Sequence, residues 1–353
     1  MPEMRNSTVT EHSIRSGDHV TFYLAAGPRD GPLIIFIHGW PELALSWRHV
    51  LPRFGGLGFR AIAPDMRGYG RSTVYDRHDA YAQRHVAADM IALLDALDGE
   101  KAVWVGHDWG SATAWSIASH HPERCFAVAS LCVPYRTIER GTDHLVSLVD
   151  REIYPEADAP SGQWAYMRFY HERFQRATAV HDADPRRTIK ALFRRGKPDA
   201  LGKPSPHVQI FANNGWFGGG DIAPDVDRDP AVVSEQDLCA YAESLGRNGF
   251  YGLNSYYMND ADNLAYSDES ADGGRLTMPV LFIAGRYDIT CESVESRLAD
   301  PMRESCEDLT FETVESGHWM AQEKPDRVNA ILTKWLADKV PSAWPREMNQ
   351  ARP

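Results

Sequence analysis

Short, continuous runs of apolar residues alternate with helical patterns along the first third of the chain. Residues 19–27 (HVTFYLAAG) alternate between apolar and polar positions, which is typical of an antiparallel strand. Residues 33–39 (LIIFIHG), 59–65 (FRAIAPD) and 102–108 (AVWVGHD) are the continuous apolar runs expected of buried parallel strands. Between the last two runs, apolar residues recur at helical spacing at Val86, Met90, Leu93, Leu94 and Leu97. The alternation predicts right-handed strand–helix–strand units, with Gly99 ending the helix.

The pattern changes between residues 135 and 272. This part is rich in aromatic and charged residues and in helix-forming stretches such as 161–175 (SGQWAYMRFYHERFQ). Strand patterns return at 276–285 (LTMPVLFIAG) and 307–315 (EDLTFETVE), before an amphipathic helix at 325–340. We therefore expect an α/β fold with a mostly parallel sheet flanked by helices and an inserted helical cap. The predicted core domain comprises residues 1–134 and 273–353, and the predicted cap comprises residues 135–272.

Length and composition fit one large globular domain, with or without an insertion. The chain has 353 residues, of which 43% are hydrophobic, and this is enough to bury a sizeable core. The formal net charge of -12 disfavours binding to nucleic acid or to an anionic membrane, because both need a basic face. We therefore expect a small neutral ligand, with no nucleic-acid or membrane partner. The sequence leaves a homodimer open.

The five cysteines suggest neither a disulfide framework nor a zinc motif. Their number is odd, and no two of them have the C-x-x-C spacing, so we expect buried free thiols. The first residues lack the apolar stretch of a secretory signal. No run approaches the roughly 18 to 20 apolar residues of a membrane-spanning helix. We therefore expect a cytoplasmic protein.

An aspartate lies between two glycines at the end of a predicted strand. In residues 105–114 (VGHDWGSATA), Asp108 follows an apolar strand and precedes a helix-forming run. A nucleophile at a sharp strand-to-helix turn needs small neighbours, because a bulky side chain would clash, and Gly106 and Gly110 meet that need. The plain alternative is a surface turn in which Asp108 caps the helix.

Three further segments at predicted strand ends carry groups that could act together with Asp108. The turn at HGWPE can aim the backbone N–H of Trp40 at the same point as the N–H of Trp109, which would form an oxyanion hole. His318, in SGHWMAQEKP, follows a strand and could reach the nucleophile. Asp288, in AGRYDIT, follows another strand and could hold His318 in the right tautomer. Taken singly, His318 would be a structural histidine and Asp288 a helix cap.

An aspartate nucleophile determines which bonds can be broken. Its side chain is already an anion at neutral pH and needs no base to activate it. Attack on an ester would give a reactive anhydride, whereas attack on saturated carbon gives an ordinary ester. Water activated by His318 can hydrolyse that ester, with the oxyanion hole stabilising the tetrahedral intermediate. The leaving atom is a halide, which needs N–H donors, or an epoxide oxygen, which needs an acid such as tyrosine.

The motifs together resemble the soluble epoxide hydrolases of the α/β-hydrolase fold. The resemblance rests on HGWPELALSWRHV, DMRGYGRST, GHDWG, AGRYDIT and SGHWMAQEKP. In that family two cap tyrosines donate to the epoxide oxygen. The first lies in a Y-x-x-x-F-Q pattern, matched by YHERFQ, which implies Tyr170; the second follows N-x, matched by NSY, which implies Tyr256. Tyr166 and Tyr257 are close enough to compete for these assignments.

The resemblance also implies a reaction and a set of contacts. Asp108 would open an epoxide to a covalent ester, and water activated by His318 would release a vicinal diol. The resemblance implies neither a cofactor nor a metal. The substrate-binding residues that it implies are His38, Pro41, Trp109 and Trp319.

The chain departs from the family pattern at several positions, and these departures bear on alternative functions. Trp40 stands where the family more often has Phe, which keeps open a haloalkane dehalogenase with Trp40 and Trp109 as halide donors. Haloacids are disfavoured because Trp109, Gly110 and Ser111 stand where haloacid-type relatives carry arginines. Residues 212–230 match nothing in the pattern. A non-catalytic binding protein is disfavoured because the aspartate, acid and histidine are all retained.

Overall fold

The computed structural model describes residues 8–345, and its centre is an eight-stranded sheet with the order β1-β2-β4-β3-β5-β6-β7-β8. The strands are β1 (Val9–Ser16), β2 (His19–Ala26), β3 (Leu33–Ile37), β4 (Arg60–Pro64), β5 (Ala102–His107), β6 (Cys125–Leu131), β7 (Leu276–Gly285) and β8 (Cys306–Val314). Strand β2 runs antiparallel to β1 and β4, and the remaining neighbouring pairs are parallel. The predicted fold class is confirmed.

The inner strands are continuously apolar because helices cover both faces of the sheet. All five residues of β3 and all six residues of β5 are buried. Ile34 to Ile37 of β3 pair in parallel register with Val103 to Gly106 of β5. The carboxyl ends of these strands therefore lie side by side, and the residues that follow them share one edge of the sheet.

The helices connect the strands and cover them. They are α1 (Leu51–Gly56), α2 (Gln83–Ala96), α3 (Trp109–His120), α4 (Thr142–Ser147), α5 (Ala165–Asp182), α6 (Pro185–Leu192), α7 (Glu235–Asn248), α8 (Tyr251–Ser255), α9 (Asp260–Asp268), α10 (Asp300–Ser305), α11 (Met320–Glu323) and α12 (Pro325–Lys339). Helix α2 lies where the apolar spacing predicts it, and its side chains Val86, Met90, Leu93 and Leu94 are buried.

The segment between β6 and β7 contains helices and loops. From residue 132 to residue 275 the described chain forms no strand, and α4 to α9 all fall in this segment. Its aromatic side chains pack on the turns at the carboxyl ends of the strands; the rings of Tyr257 and Trp109, for example, have centroids 5.2 Å apart. The segment therefore stands over the end of the sheet where the predicted reactive residues lie.

One strand was not predicted by the hydrophobic pattern. Strand β1 pairs along its whole length with β2, yet seven of its eight residues are exposed, so its sequence has no apolar face to detect. Within residues 8–345, no helix combines the length and the apolar character needed to cross a lipid bilayer.

Candidate active site

Asp108 occupies a strained turn between β5 and α3. Its φ of 52° and ψ of −124° lie in a region that residues with a side chain seldom adopt. A Cβ on Gly106 would lie 2.4 Å from the Gly110 carbonyl oxygen, and one on Gly110 would lie 2.1 Å from the Ile37 carbonyl oxygen. Glycines are therefore required on both sides, and the turn projects Asp108 from the end of the strand.

The carboxylate of Asp108 meets a backbone donor from the neighbouring loop. The N–H of Trp40 donates to Asp108 Oδ1 over 2.7 Å. Trp109 is the first residue of α3, and the first N–H groups of a helix have no partner within the helix. A negative charge that develops on Oδ1 thus lies beside one donated N–H and next to a helix N-terminus.

His318 lies between two carboxylates. Its Nδ1 donates to Asp288 Oδ2 over 2.8 Å, and its Nε2 lies 3.5 Å from Asp108 Oδ2. The other oxygen of Asp288 accepts the N–H groups of Thr290 and Cys291 over 2.8 and 2.9 Å. The side chain of Asp288 is thus fixed by its own loop and in turn fixes the imidazole.

The charges in this group support one another. Burial alone raises the pKa of Asp288, but His318 and the loop N–H groups lower it below the usual value. Burial alone lowers the pKa of His318, but the electrostatic effect of the neighbouring Cys132 and Asp288 side chains and the hydrogen bonds to Asp108 and Asp288 raise it well above the usual range. His318 therefore holds a proton while Asp108 is charged.

Three tyrosines of the helical segment lie near Asp108. Burial raises the pKa of Tyr166, Tyr170 and Tyr257 well above the ordinary phenol value, and the charge of Asp108 contributes to each rise. Tyr170 and Tyr257 stack with ring centroids 4.6 Å apart. The hydroxyl of Tyr170 is buried and has no hydrogen-bond partner among residues 8–345. All three phenols are protonated at neutral pH and are able to donate.

Sequence comparisons show the family to which the chain belongs. The sequence model of the family described as alpha/beta hydrolase fold matches residues 32–192. Epoxide hydrolase A of Mycobacterium tuberculosis is 33% identical over 315 residues, which cover 88% of this chain and 92% of the relative. The chain belongs to the epoxide hydrolase family of the α/β-hydrolase fold.

Solved structures of the epoxide hydrolase family have the same architecture. The crystal structure of Epoxide Hydrolase A from Mycobacterium thermoresistibile has a TM-score of 0.76 and 30% sequence identity, covering 94% of this chain and 98% of that one. The structure of an epoxide hydrolase from an endophytic Streptomyces has a TM-score of 0.75 and 30% identity, with coverages of 93% and 95%.

The structure corrects the prediction for Tyr256, which the resemblance to epoxide hydrolases implied as an acid. The hydroxyl of Tyr256 donates to the Arg67 carbonyl over 3.0 Å, and Tyr256 does not line the cavity above Asp108. The neighbouring Tyr257 does line it. The physical reason is the tight turn Tyr256–Met258 directly after α8, in which adjacent side chains point in different directions.

Two of the four residues predicted to contact substrate, His38 and Pro41, lie in a turn outside the cavity lining. Both ring nitrogens of His38 are used: Met66 N–H donates to Nε2 over 3.0 Å, and Nδ1 donates to the Gly39 carbonyl over 2.9 Å. Pro41 is buried, and neither residue lines the cavity. His38 and Pro41 therefore shape the loop that presents the Trp40 N–H.

A cavity of 630 Å³ opens above Asp108 and His318, and aromatic side chains, aliphatic side chains and the basic residues Arg194, Arg195 and Lys197 line it. Trp319, the third predicted contact, lines it, whereas Trp109 contributes to the site through its backbone and its indole does not line the cavity. Residues 213–218 of the segment that the family pattern did not explain form part of the wall. The Trp, Tyr and Phe residues of the wall are Trp40, Tyr166, Trp216, Phe217, Tyr257, Tyr287 and Trp319.

The indole groups do not form a halide site of the kind that a dehalogenase needs. The indole N–H of Trp40 donates to Asn254 Oδ1 over 3.0 Å, so it is already occupied. The indole N–H of Trp109 is buried without a partner among residues 8–345, but Trp109 does not line the cavity. Of the two donors on which the dehalogenase alternative rests, the Trp40 indole is therefore occupied, and the Trp109 indole is unpartnered but lies outside the cavity lining.

The sequence did not indicate a buried ion pair between Glu42 and His107, next to the turn that holds Asp108. His107 Nδ1 donates to Glu42 Oε2 over 2.6 Å, and its Nε2 donates to the His318 carbonyl over 2.8 Å. Glu42 also accepts the Gly39 N–H. Burial alone raises the pKa of Glu42, but the charge and hydrogen bond of His107 lower it to about 2. Through these hydrogen bonds, the pair connects the loop that carries the Trp40 N–H to the backbone of His318.

Proposed function

We propose that this protein hydrolyses epoxides to vicinal diols through a covalent ester on Asp108. The observation that supports this most is the position of the Asp108 carboxylate. Oδ1 accepts the Trp40 N–H at 2.7 Å, Oδ2 lies 3.5 Å from His318 Nε2, and the residue borders the cavity. The relatives named epoxide hydrolase support the same class of substrate.

In the first step, Asp108 Oδ2 attacks one carbon of the epoxide ring. The carbon–oxygen bond of the ring breaks, and the departing oxygen takes a proton from a phenol. We assign this acid to Tyr257 together with Tyr170. Tyr257 lines the cavity. Tyr170 does not line it, but its ring stacks on Tyr257 with centroids 4.6 Å apart, and its hydroxyl, unlike that of Tyr256, has no other partner among the described residues.

In the second step, water attacks the carbonyl carbon of the ester. Esterification removes the charge of Asp108 and its hydrogen bond to His318, one of the interactions that raise the pKa of His318. The pKa of His318 therefore falls, and the imidazole can take a proton from water. The tetrahedral oxyanion forms at Oδ1, beside the N–H groups of Trp40 and Trp109.

The step closes with both products released. The bond between the carbonyl carbon and the substrate-bound oxygen breaks, so the diol carries away an oxygen of Asp108. The phenolate regains its proton from His318 once Asp108 is esterified. Of the two protons of water, one passes through His318 to the departing diol oxygen and the other leaves His318 protonated again, so the enzyme returns to its starting state. Asp288 holds the imidazole throughout, through the 2.8 Å hydrogen bond to Nδ1.

The walls of the cavity indicate the kind of epoxide. Aromatic side chains from the core and from the cap, residues 135–272, surround the nucleophile, and 630 Å³ accommodates a substrate with a large apolar group. We therefore propose neutral, apolar epoxides, with the cap segment 213–218 selecting among them.

Isotope labelling in a single turnover tests this mechanism. With enzyme in excess over an aryl epoxide in ¹⁸O-water, the first diol should carry no label, and Asp108 should gain it. A second turnover should then give labelled diol. Label in the diol of the first turnover would mean that water attacks the epoxide directly.

A further inference from the structure

Two free thiols lie against the acid and the histidine of the proposed site. Cys132 directly follows β6 and Cys291 lies in the loop after β7, and both are buried and outside any disulfide. One sulfur from each, one Asp288 carboxylate oxygen and one His318 ring nitrogen all lie within 4.8 Å of one another. We call Cys132, Asp288, Cys291 and His318 the thiol cluster.

The backbone holds the thiol cluster in place. The N–H of Cys132 donates to the Ile283 carbonyl over 3.0 Å and continues the pairing of β6 with β7. The N–H of Cys291 donates to Asp288 Oδ1 over 2.9 Å. Both sulfurs are therefore brought to the histidine by the carboxyl ends of adjacent strands, and neither thiol forms a bond or transfers a proton in the proposed reaction.

Two thiolates, an imidazole and a carboxylate are ligands that zinc accepts. Zinc binds sulfur at about 2.3 Å and nitrogen or oxygen at about 2.0 to 2.2 Å, so the ligands of a tetrahedral site are about 3.3 to 3.8 Å apart. The thiol cluster needs closure by about 1.5 Å at most to reach these separations, since no two of its ligand atoms are more than 4.8 Å apart. Side-chain rotation supplies such a change.

We propose that the thiol cluster is an inhibitory binding site for a thiophilic divalent cation such as Zn²⁺. The metal would bond to both sulfurs, to Asp288 and to His318, and the displaced thiol and imidazole protons would pass to the solvent. Coordination at either ring nitrogen of His318 removes the base or its hydrogen bond to Asp288. The inhibitory effect rests on the proposed function of His318, whereas the binding itself does not.

Cobalt provides a readout of binding that is independent of activity. Titration of the metal-free, reduced protein with Co²⁺ should give a thiolate-to-cobalt charge-transfer band that saturates at one ion per chain and that Zn²⁺ abolishes. Cys132→Ser and Cys291→Ser should each weaken cobalt binding by more than about 100-fold, because changes outside the ligand set already cost 10- to 100-fold. Cys125→Ser is the matched control, since this buried cysteine lies at the opposite end of β6, and it should keep the band.

Activity gives the second readout. Zn²⁺ should stop diol formation by the wild type and by Cys125→Ser, whereas Cys132→Ser should need at least about 100-fold more zinc to lose half of its own zinc-free rate. Absence of the cobalt band, or an unchanged band in both Cys132→Ser and Cys291→Ser, would overturn the metal site while leaving epoxide hydrolysis intact. A normal cobalt band in a protein that hydrolyses no epoxide would support the metal site and refute the proposed function.

Discussion

Tyr170 and Tyr257 stack with ring centroids 4.6 Å apart and planes inclined by 12°. Tyr170 comes from the long helix α5 and Tyr257 from the turn after α8, so the stack joins two parts of the cap. Its position near Asp108 places two protonated phenols side by side, and this arrangement suits donation to one oxygen atom of the substrate.

Removing either hydroxyl should slow ring opening. Tyr257→Phe and Tyr170→Phe should each lower kcat/KM for an aryl epoxide by on the order of 100-fold, and the double variant should lose measurable turnover, since a general acid contributes about 10² to 10⁴. The matched control is Tyr256→Phe, which removes only the hydrogen bond to the Arg67 carbonyl and should cost about 1 kcal/mol of stability without slowing the reaction. Steady-state kinetics and thermal unfolding measure both effects. If Tyr256→Phe were as slow as Tyr257→Phe, the assignment of the acid would be wrong.

The loop that presents the Trp40 N–H to Asp108 should not tolerate a methyl group at Gly39. A Cβ there would lie 2.4 Å from Asp108 Cβ and 2.5 Å from Asp108 Oδ1, so the nucleophile must move. Gly39→Ala should therefore lower kcat by more than about 100-fold, the scale of losing one oxyanion donor. Gly246→Ala, in helix α7 where the nearest atom to an added Cβ is 4.0 Å away, should keep wild-type kcat. Circular dichroism would establish that both variants are folded, and a fast, folded Gly39→Ala would contradict the described geometry of the loop.

Glu139 should make stability depend on pH. Burial raises the pKa of Glu139 from 4.5 to about 7, although the N–H groups of Arg136 and Thr137 donate to the carboxylate. A folded-state pKa above the unfolded value means that the contribution is complete below pH 4.5 and is lost as the pH rises through 7. The loss is on the order of 3 kcal/mol for a shift of this size.

Urea unfolding at several pH values tests the role of Glu139. Wild type should lose stability relative to Glu139→Gln between pH 4.5 and 8, whereas Glu156→Gln, at an exposed glutamate, should follow the wild type. A constant difference between wild type and Glu139→Gln across this range would exclude a titrating Glu139.

The strands and the positions of Asp108 and Asp288 at their ends could be predicted from the sequence for the same physical reason. A strand covered on both faces is continuously apolar, so β3, β5, β6 and β7 are visible in the pattern and their carboxyl ends can be located. Asp108 and Asp288 lie directly after such ends. The exposed strand β1 has no apolar pattern, and therefore it could not be found.

The remaining parts of the site depend on three-dimensional detail. Tyr256 and Tyr257 are adjacent in the sequence, and only the turn after α8 decides which hydroxyl reaches the cavity. Glu42 and His107 are 65 residues apart, so no spacing indicates their ion pair. Trp216 lies in a loop rich in glycine. Its ring stacks on that of Trp40 with centroids 6.1 Å apart, and this arrangement follows from tertiary packing alone.

Trapping the ester on Asp108 tests the central claim most directly. In His318→Gln the ester should form but not hydrolyse, so intact-mass measurement after incubation with aryl and terminal epoxides should show a gain equal to one whole epoxide. Peptide mapping should place it on Asp108, and Asp108→Asn/His318→Gln should gain nothing. A gain equal to a haloalkane without its halide, found only with haloalkanes, would identify a dehalogenase instead. The absence of any adduct on a folded His318→Gln that still binds the epoxide would contradict a covalent mechanism.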